Sequence, residues 1–383
     1  MTDPYLQGPI TGAPDGEAPG SAGEGAPSLD VSVSDGFGPW LEAARAAVAF
    51  TTYQASKLFL VGLSREREIT VFERTFGRCM GLGASRDELW LATGFQLYRF
   101  ENFLSPGQIH EGFDAVYVPL QAHTTGEADI HDVHGSAIGA PVFVATRFNC
   151  LATLDRRHSF IPLWKPPFIS DIVAEDRCHL NGLAMRDGKP AYVTLIAATD
   201  VAGGWRDRRR DGGMLWDLRR GGPLVEGLSM PHSPRLYDGR LWMLNSGAGE
   251  FGWVDEAAGR FVPVAFLPGF ARGMTFVGRH AVIGVSKPRR EGAFQGLALN
   301  ERLADAGREP LCAICVVNLD TGEVEHEMRL EGYVQELYDT VAIPGVRRPM
   351  ALGFQTDEIR YFVRPGPIPQ RRPKQAAPMG AEA

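Results

Sequence analysis

Two histidines, an asparagine, an arginine and a glutamate stand ahead of short apolar runs at wide, comparable intervals. With Met80 they form the series Met80, His134, Asn181, His232, Arg272 and Glu336, separated by 54, 47, 51, 40 and 64 residues. Any one of them alone is as well explained as a polar residue satisfied at the start of a strand. Their recurrence is what points to chemistry. Imidazole, carboxamide and carboxylate all ligate metals. A set of His134, His232 and Glu336, with Asn181 as fourth ligand or as hydrogen-bond donor to a substrate, suits zinc, iron, manganese or copper, with zinc or iron favoured. Calcium prefers oxygen alone. With an open position such an ion generates hydroxide for hydrolysis or elimination, and with iron the set matches the two-histidine, one-carboxylate pattern of oxygenases. Arg272 is the residue to clamp an anionic substrate or a developing oxyanion.

Neighbours of this series extend it. The run DIHDVH (129–134) supplies His131 and Asp132, and CHLN (178–181) supplies Cys178 and His179. Residues two apart on an extended chain share a face and residues three apart do not. His179 and Asn181 therefore converge, whereas His131 and His134 do so only if the chain turns. His131 and His179 are expected to orient a ligand or to act as general acid and base, because imidazole titrates near neutral pH. Two polar insertions, 200–213 and 287–310, carry Arg206, Arg208, Arg209, Arg210, Lys287, Arg289 and Arg290. Either they are solvated excursions, or they roof the site and attract an anion, with Arg208, Arg209, Arg210 and Arg289 as substrate-binding candidates. Cys312 and Cys315 lie in an apolar run that reads as a strand, so their thiols face opposite ways and make no redox pair.

The elements that must position these residues are short strands. Runs such as KLFLVGL, ELWLATG, PVFVATRF, RLWMLNSG and HAVIGVS are bounded by turn signals, and helical periodicity is scarce. Five repeated inner hairpins each begin at one of the positions above. The first segment offers only three strands and the last a lone inner strand after Glu336. Joined, they make a sixth blade, so the chain reads as an all-β, six-bladed β-propeller closed by its N- and C-terminal strands. Seven blades is the alternative if an insertion hides a hairpin. Residues 1–36 and 364–383 are Pro-, Gly- and Ala-rich and are expected to be disordered tails around a propeller at 37–363.

Composition bounds the rest. The chain has 383 residues, a net charge of −7 and 44% hydrophobic residues, enough for a large core and too acidic for a general nucleic-acid binder. No run of 18 apolar residues and no basic, apolar leader is present, so a membrane span and a secretory signal are not expected. Five scattered cysteines fit a reducing, cytoplasmic setting.

The stretch CHLNGLA is similar to the Asn-Gly-Leu/Ile-Ala signature of the gluconolactonase and senescence-marker six-bladed propellers. The resemblance implies a metal-binding role for Asn181 alone. A histidine-based zinc site in such a fold looks like that of the peptidyl-hydroxyglycine lyase. Over most of 37–365, with DIHDVHG, CHLNGLAM, MPHSPRL, GFARGMTF and ELYD, the chain resembles an uncharacterised bacterial conserved-hypothetical propeller family. Some members of that family are fused to tetratricopeptide repeats. The expectation is thus a metal-dependent hydrolase, lyase or oxygenase working at the mouth of the propeller channel on a small or peptide-borne anionic substrate. The alternative is a non-catalytic propeller that binds a partner protein or glycan through the same face.

Overall fold

The structure, a computed structural model, describes residues 28–136, 139–287 and 296–367. Six antiparallel sheets form the blades of a propeller. Their inner strands are Thr340–Pro344, Leu82–Ala84, Ile130–His134, Leu180–Arg186, Pro231–Tyr237 and Phe270–Val277, in blades 1 to 6 respectively. Blade 1 is completed as expected. Thr340–Pro344 pairs antiparallel with Ala46–Thr52, with Val48 opposite Ala342, so the ring closes without an exposed inner edge.

The cores lie between blades rather than within them. Val48, Phe50, Phe59 and Val61 of blade 1 pack on Ile314, Val316, Met328 and Leu330 of blade 6, and similar clusters fill the other seams. Middle strands are covered on both faces, which is why they read as continuous apolar runs instead of alternating ones. Cys312 belongs to the seam between blades 6 and 1, and Cys315 to the seam between blades 5 and 6. Burial pushes both thiols up to about 12. Among the described residues no helix is long and apolar enough to cross a membrane.

The ends of the chain differ from expectation. Residues 1–27 of the expected N-terminal tail lie outside the described residues, but Leu29–Val33 is a fifth strand on blade 6, paired antiparallel with Val324–Gly332. The stretch LDVSV alternates apolar and polar residues, and the outer strand offered it a free edge of backbone donors and acceptors. Helix α1 (Phe37–Ala44) follows and buries Phe37, Trp40 and Leu41. At the other end Pro349–Ala351 adds in parallel to the outer strand of blade 2. Of the expected C-terminal tail, 368–383 lies outside the described residues.

Around the channel one position alternates glycine with a polar residue: Gly81, Asp132, Gly182, Ser233, Gly273, Asp339. A Cβ on Gly182 would collide with Ser233 and Pro234 of the next blade, and one on Gly273 (φ +67) with the backbone of Asp339 and Thr340. Each glycine thus admits the neighbouring strand. Each polar residue bonds forward: Asp132 accepts from the Leu183 N–H at 3.0 Å, Ser233 from Gly273 at 3.1 Å and Asp339 from Leu82 at 2.8 Å.

Arg235 of blade 5 ties these strands together. It donates to both Asp132 oxygens of blade 3 (2.7 and 3.2 Å). Its other bonds reach the Leu183 carbonyl of blade 4 (3.0 Å) and the Met274 carbonyl of blade 6 (3.2 Å). The Asp339 carboxylate of blade 1 stands 3.9 Å away. Burial would raise the pKa of Asp132, but Arg235 and His134 together hold it well below the usual carboxylate range. Asp339 is raised instead, by burial and by the nearby Asp132 charge.

Removing one partner of a buried ion pair strands the other, at a cost of about 3–5 kcal/mol. Arg235→Met should therefore lose about that much stability in urea denaturation, and Arg235→Met with Asp132→Asn should recover a large part of it. Losses that simply add would show that the two side chains are not coupled.

Candidate active site

The inner strands begin with a repeated local geometry. Arg78, Asp129, His179 and Met230 all adopt left-handed φ values of 51°, 54°, 51° and 45°, which costs a non-glycine residue about 1–2 kcal/mol. Two residues further on stand Met80, His131, Asn181 and His232. Extending the same position through Gly273 and Asp339, each of which follows it directly, completes the ring with Arg272 and Tyr338. The intervals are then 51, 50, 51, 40 and 66 residues.

This register corrects the expected series at two places. His134 lies three residues past the ring, at the far end of its strand, where its Nε2 sits 2.9 Å from Asp132 Oδ1, off the line of a hydrogen bond. The left-handed turn at Asp129 presents His131 instead. Glu336 falls two residues before the ring position, at the seam of blades 6 and 1, where it and Lys287 are charges felt by the Cys312 thiol. Tyr338 occupies the ring. Met80, Asn181, His232 and Arg272 stand where the spacing places them.

The left-handed turns also set the imidazole tautomers. His232 Nδ1 lies 2.9 Å from the Met230 carbonyl, and His131 Nδ1 lies 3.0 Å from the Asp129 carbonyl. Thr146, whose hydroxyl donates to the Leu180 carbonyl at 2.6 Å, accepts a second bond from His131 Nδ1 at 2.8 Å. A carbonyl only accepts, so both histidines carry the proton on Nδ1 and keep a lone pair on Nε2. His179 Nδ1 lies 3.0 Å from both oxygens of Asp176, which places a proton on that nitrogen.

The side chains share one electrostatic neighbourhood. Burial, and the nearness of His179 and Arg272, push His131 down to about 4 against the opposing pull of Asp129. His232 falls well below its ordinary value through burial and then Arg272, with His131 and His179 adding to the effect. Ring contacts run through the same groups. His131 lies 4.9 Å from His179 and 5.2 Å from Tyr338, and the Arg272 guanidinium lies 5.2 Å from Phe270 and 5.3 Å from Tyr338. Tyr338 stacks in turn on Tyr53 at 5.7 Å. Burial and Asp129 hold the Tyr338 phenol well above its ordinary pKa.

The first insertion does reach the site, through a residue that sequence reasoning passed over. Trp205, in the 3-10 turn Gly204–Arg208, stacks on His179 at 4.2 Å and donates from Nε1 to Asp176 at 2.8 Å. Burial raises the pKa of Asp176, but the His179 and Trp205 N–H groups outweigh it and hold the carboxylate below its usual range. Trp205 packs with Phe270 and with Leu297, Leu299 and Leu303 from the second insertion, whose helix α2 spans Ala298–Asp305. Arg210 pairs with Glu301 at 2.6 Å and so joins the two insertions. Arg206 lies on the Trp205 ring, and Arg208 is exposed on the same turn. Arg209 accepts the Ser229 hydroxyl through its backbone carbonyl at 3.1 Å. Arg289 and Arg290 lie outside the described residues.

Among the described residues no group of three His, Cys, Asp or Glu side chains is assembled to hold a metal ion, and the expected ligand set is divided between two levels of the channel. Two surface clefts, one lined by Leu41, Arg45 and Arg347 and the other by Lys57, Glu73 and Phe354, share no residue with the ring.

Residues 35–352 match the family described as a domain of unknown function, DUF4915, and the chain belongs to that family. No curated protein matches it in sequence. Solved structures similar to it include a nidogen/laminin complex (11% identity, 78% of this chain and 99% of that one, TM-score 0.49). A protein of unknown function from Bacteroides caccae is 12% identical over 78% of this chain and 98% of that one, with TM-score 0.42. A virginiamycin B lyase from Staphylococcus aureus is 10% identical over 79% and 99%, with TM-score 0.36. Likenesses this distant assign no chemistry.

A histidine kept neutral by burial destabilises the fold on acidification, because the unfolded chain binds a proton that the native state refuses. For His131 the window runs from its ordinary 6.5 down to about 4, a difference worth about 3 kcal/mol at about 1.4 kcal/mol per pH unit. Thermal melts should show stability falling as pH drops through that window, and less steeply in His131→Gln. Equal slopes for the two proteins would show that His131 titrates normally.

Proposed function

We propose that this DUF4915 member is an enzyme that moves protons on a small anionic substrate at the ring where the inner strands begin, in a lyase or hydrolase reaction. One observation supports this above others. Two imidazoles, His131 and His232, carry the proton on Nδ1 and a lone pair on Nε2, and a third, His179, donates from Nδ1 to Asp176, close to a guanidinium. His179, oriented by Asp176 and Trp205, takes a proton through Nε2 from the substrate carbon in an elimination, or from the attacking water in a hydrolysis, and returns it to the leaving group as that bond breaks. Arg272 clamps the substrate's anion, and Asn181 and Tyr338 stabilise charge as it develops on oxygen. His131 and His232, held neutral, accept hydrogen bonds without adding positive charge. The exposed Arg206, Arg208 and Arg210 attract anions to the rim, a weak and salt-sensitive contribution.

A metal-assisted form has its own supporting observation. Two imidazoles on one tetrahedral ion place their centroids about 5 Å apart, and His131 and His179 stand at 4.9 Å. Their Nδ1 atoms are anchored as ligating imidazoles require. His131 and His179 are then the two imidazoles to test as ligands, in place of the set containing His134 and Glu336. Zinc or ferrous iron suits them.

The test is incubation with a panel of carboxylates, lactones and phosphate esters in D2O, with and without added zinc or ferrous iron, followed by mass spectrometry. Turnover or carbon-bound deuterium should appear and fall by about 10²–10⁴-fold in His179→Gln. Dependence on added metal, lost in His131→Ala, selects the metal-assisted form. Saturable binding of a protein or glycan that survives His179→Gln, with no turnover of any panel member, overturns the enzyme reading in favour of recognition.

A further inference from the structure

Three side chains of the ring are more than nine-tenths buried and each has a polar atom without a partner. Asn181 is 3% exposed, His232 4% and Tyr338 6%; the atoms are Asn181 Nδ2, His232 Nε2 and the Tyr338 hydroxyl. Buried donors and acceptors are almost always satisfied, because desolvation without a partner is costly. Three such atoms at one position of three blades mark a place where a ligand, or the water it displaces, supplies the partners.

Their hydrogen-bonding character restricts that ligand. Asn181 Oδ1 already accepts the Thr194 hydroxyl at 2.7 Å, which leaves Nδ2 as a donor. The Tyr338 phenol stays protonated under burial and the Asp129 charge, so its hydroxyl donates. Arg272, flanked by the Phe270 and Tyr338 rings, adds a planar fork of N–H groups suited to a carboxylate. His232 is the exception: its Nδ1 donates to the Met230 carbonyl at 2.9 Å, so Nε2 can only accept. The ring thus offers donors for an anion and, beside them, a buried acceptor in His232 Nε2 that no protein group satisfies.

We infer that the ring binds a 2-hydroxycarboxylate, its carboxylate held by Arg272, Asn181 and Tyr338 and its hydroxyl donating to His232 Nε2. An ammonium group could also donate, but it would sit in the positive field of Arg272, the field that helps keep His232 neutral. A plain carboxylate leaves His232 unsatisfied. The inference uses the site of the proposed enzyme and names its substrate class, yet it concerns equilibrium binding and stands apart from the proton transfer.

Calorimetric titration with glycolate and with D- and L-lactate, against propionate, alanine and inorganic phosphate, tests it. One lactate enantiomer should bind at least tenfold more tightly than propionate or alanine. Tyr338→Phe, which removes one donor to a charged group and little volume, should weaken lactate and propionate alike by about tenfold or more. His232→Phe, checked by circular dichroism, should erase the difference between lactate and propionate. Lactate bound by the wild-type protein, with no turnover of it or of any other probe, refutes the enzyme reading and leaves this one intact. Propionate, alanine or phosphate binding as tightly as lactate overturns the inference. So does no binding by any probe, or a lactate preference that survives His232→Phe.

Discussion

The Arg235 guanidinium is the contact on which the rest of the ring depends. From blade 5 it reaches Asp132 of blade 3 and carbonyls of blades 4 and 6, with Asp339 of blade 1 within 3.9 Å. Packing between blades is largely apolar and has no direction; faces of similar shape could slide by a residue and bury nearly the same area. A buried cation with fixed N–H directions cannot slide. It accepts only the arrangement in which its carboxylate and carbonyl partners arrive together, because a stranded charge in the channel is far costlier than a poorly fitted leucine. The alternation of glycine with Asp or Ser serves the same geometry, bringing each strand close enough to its neighbour for these bonds.

The hub and the candidate site are adjacent on the chain. Asp132 follows His131, Ser233 follows His232, and Asp339 follows Tyr338. Anchoring the first member of each pair to the next blade therefore fixes the φ and ψ that aim the second. Four left-handed residues tolerated two positions upstream of the ring are affordable only in a scaffold this constrained. Two of them turn a carbonyl back onto the histidine that follows and so decide its tautomer. The rigidity of the channel thus passes into chemistry through the backbone.

How much of this could be read in the sequence depends on the interaction concerned. The blades were legible because strands buried on both faces make apolar runs, and because a three-stranded start and a lone final strand complement each other. Asn181, His232 and Arg272 were legible because their place ahead of an inner strand recurs. His134 reads as standing just ahead of an inner strand, but that strand is Ile130–His134 and ends with it; Glu336 stands ahead of a strand that begins only at Thr340, with Tyr338 between. The intervals 51, 50 and 51 from Met80 to His232 pointed to His131. Tyr338 was passed over because its role rests on burial, which a tyrosine between leucine and aspartate does not advertise. Trp205 left a faint signal, a lone large apolar residue among arginines and glycines. Of the arginines around it, Arg206 lies on its ring and Arg210 pairs with Glu301 of the second insertion. The strand Leu29–Val33 was hidden by its setting in a Gly- and Pro-rich stretch, since only the free edge of blade 6 gives it a partner.

Charge in this propeller is sorted by depth. At the hub Arg235 is set against two carboxylates, and neither side is exposed to solvent. At the ring the half-buried guanidinium of Arg272 stands near His131 and His232, which burial keeps neutral, with Asp129 and Asp176 nearby. Outermost, Arg206, Arg208 and Arg210 face water. Exposed charges are screened within about 8–10 Å at moderate salt, so the field of the outer arginines is short-ranged, while Arg272 is held between the Phe270 and Tyr338 rings. Neutral imidazoles matter to this arrangement because each one protonated would add a second cation beside Arg272 and remove an acceptor. A ligand bearing two negative charges would leave the second one facing Asp129 and Asp176.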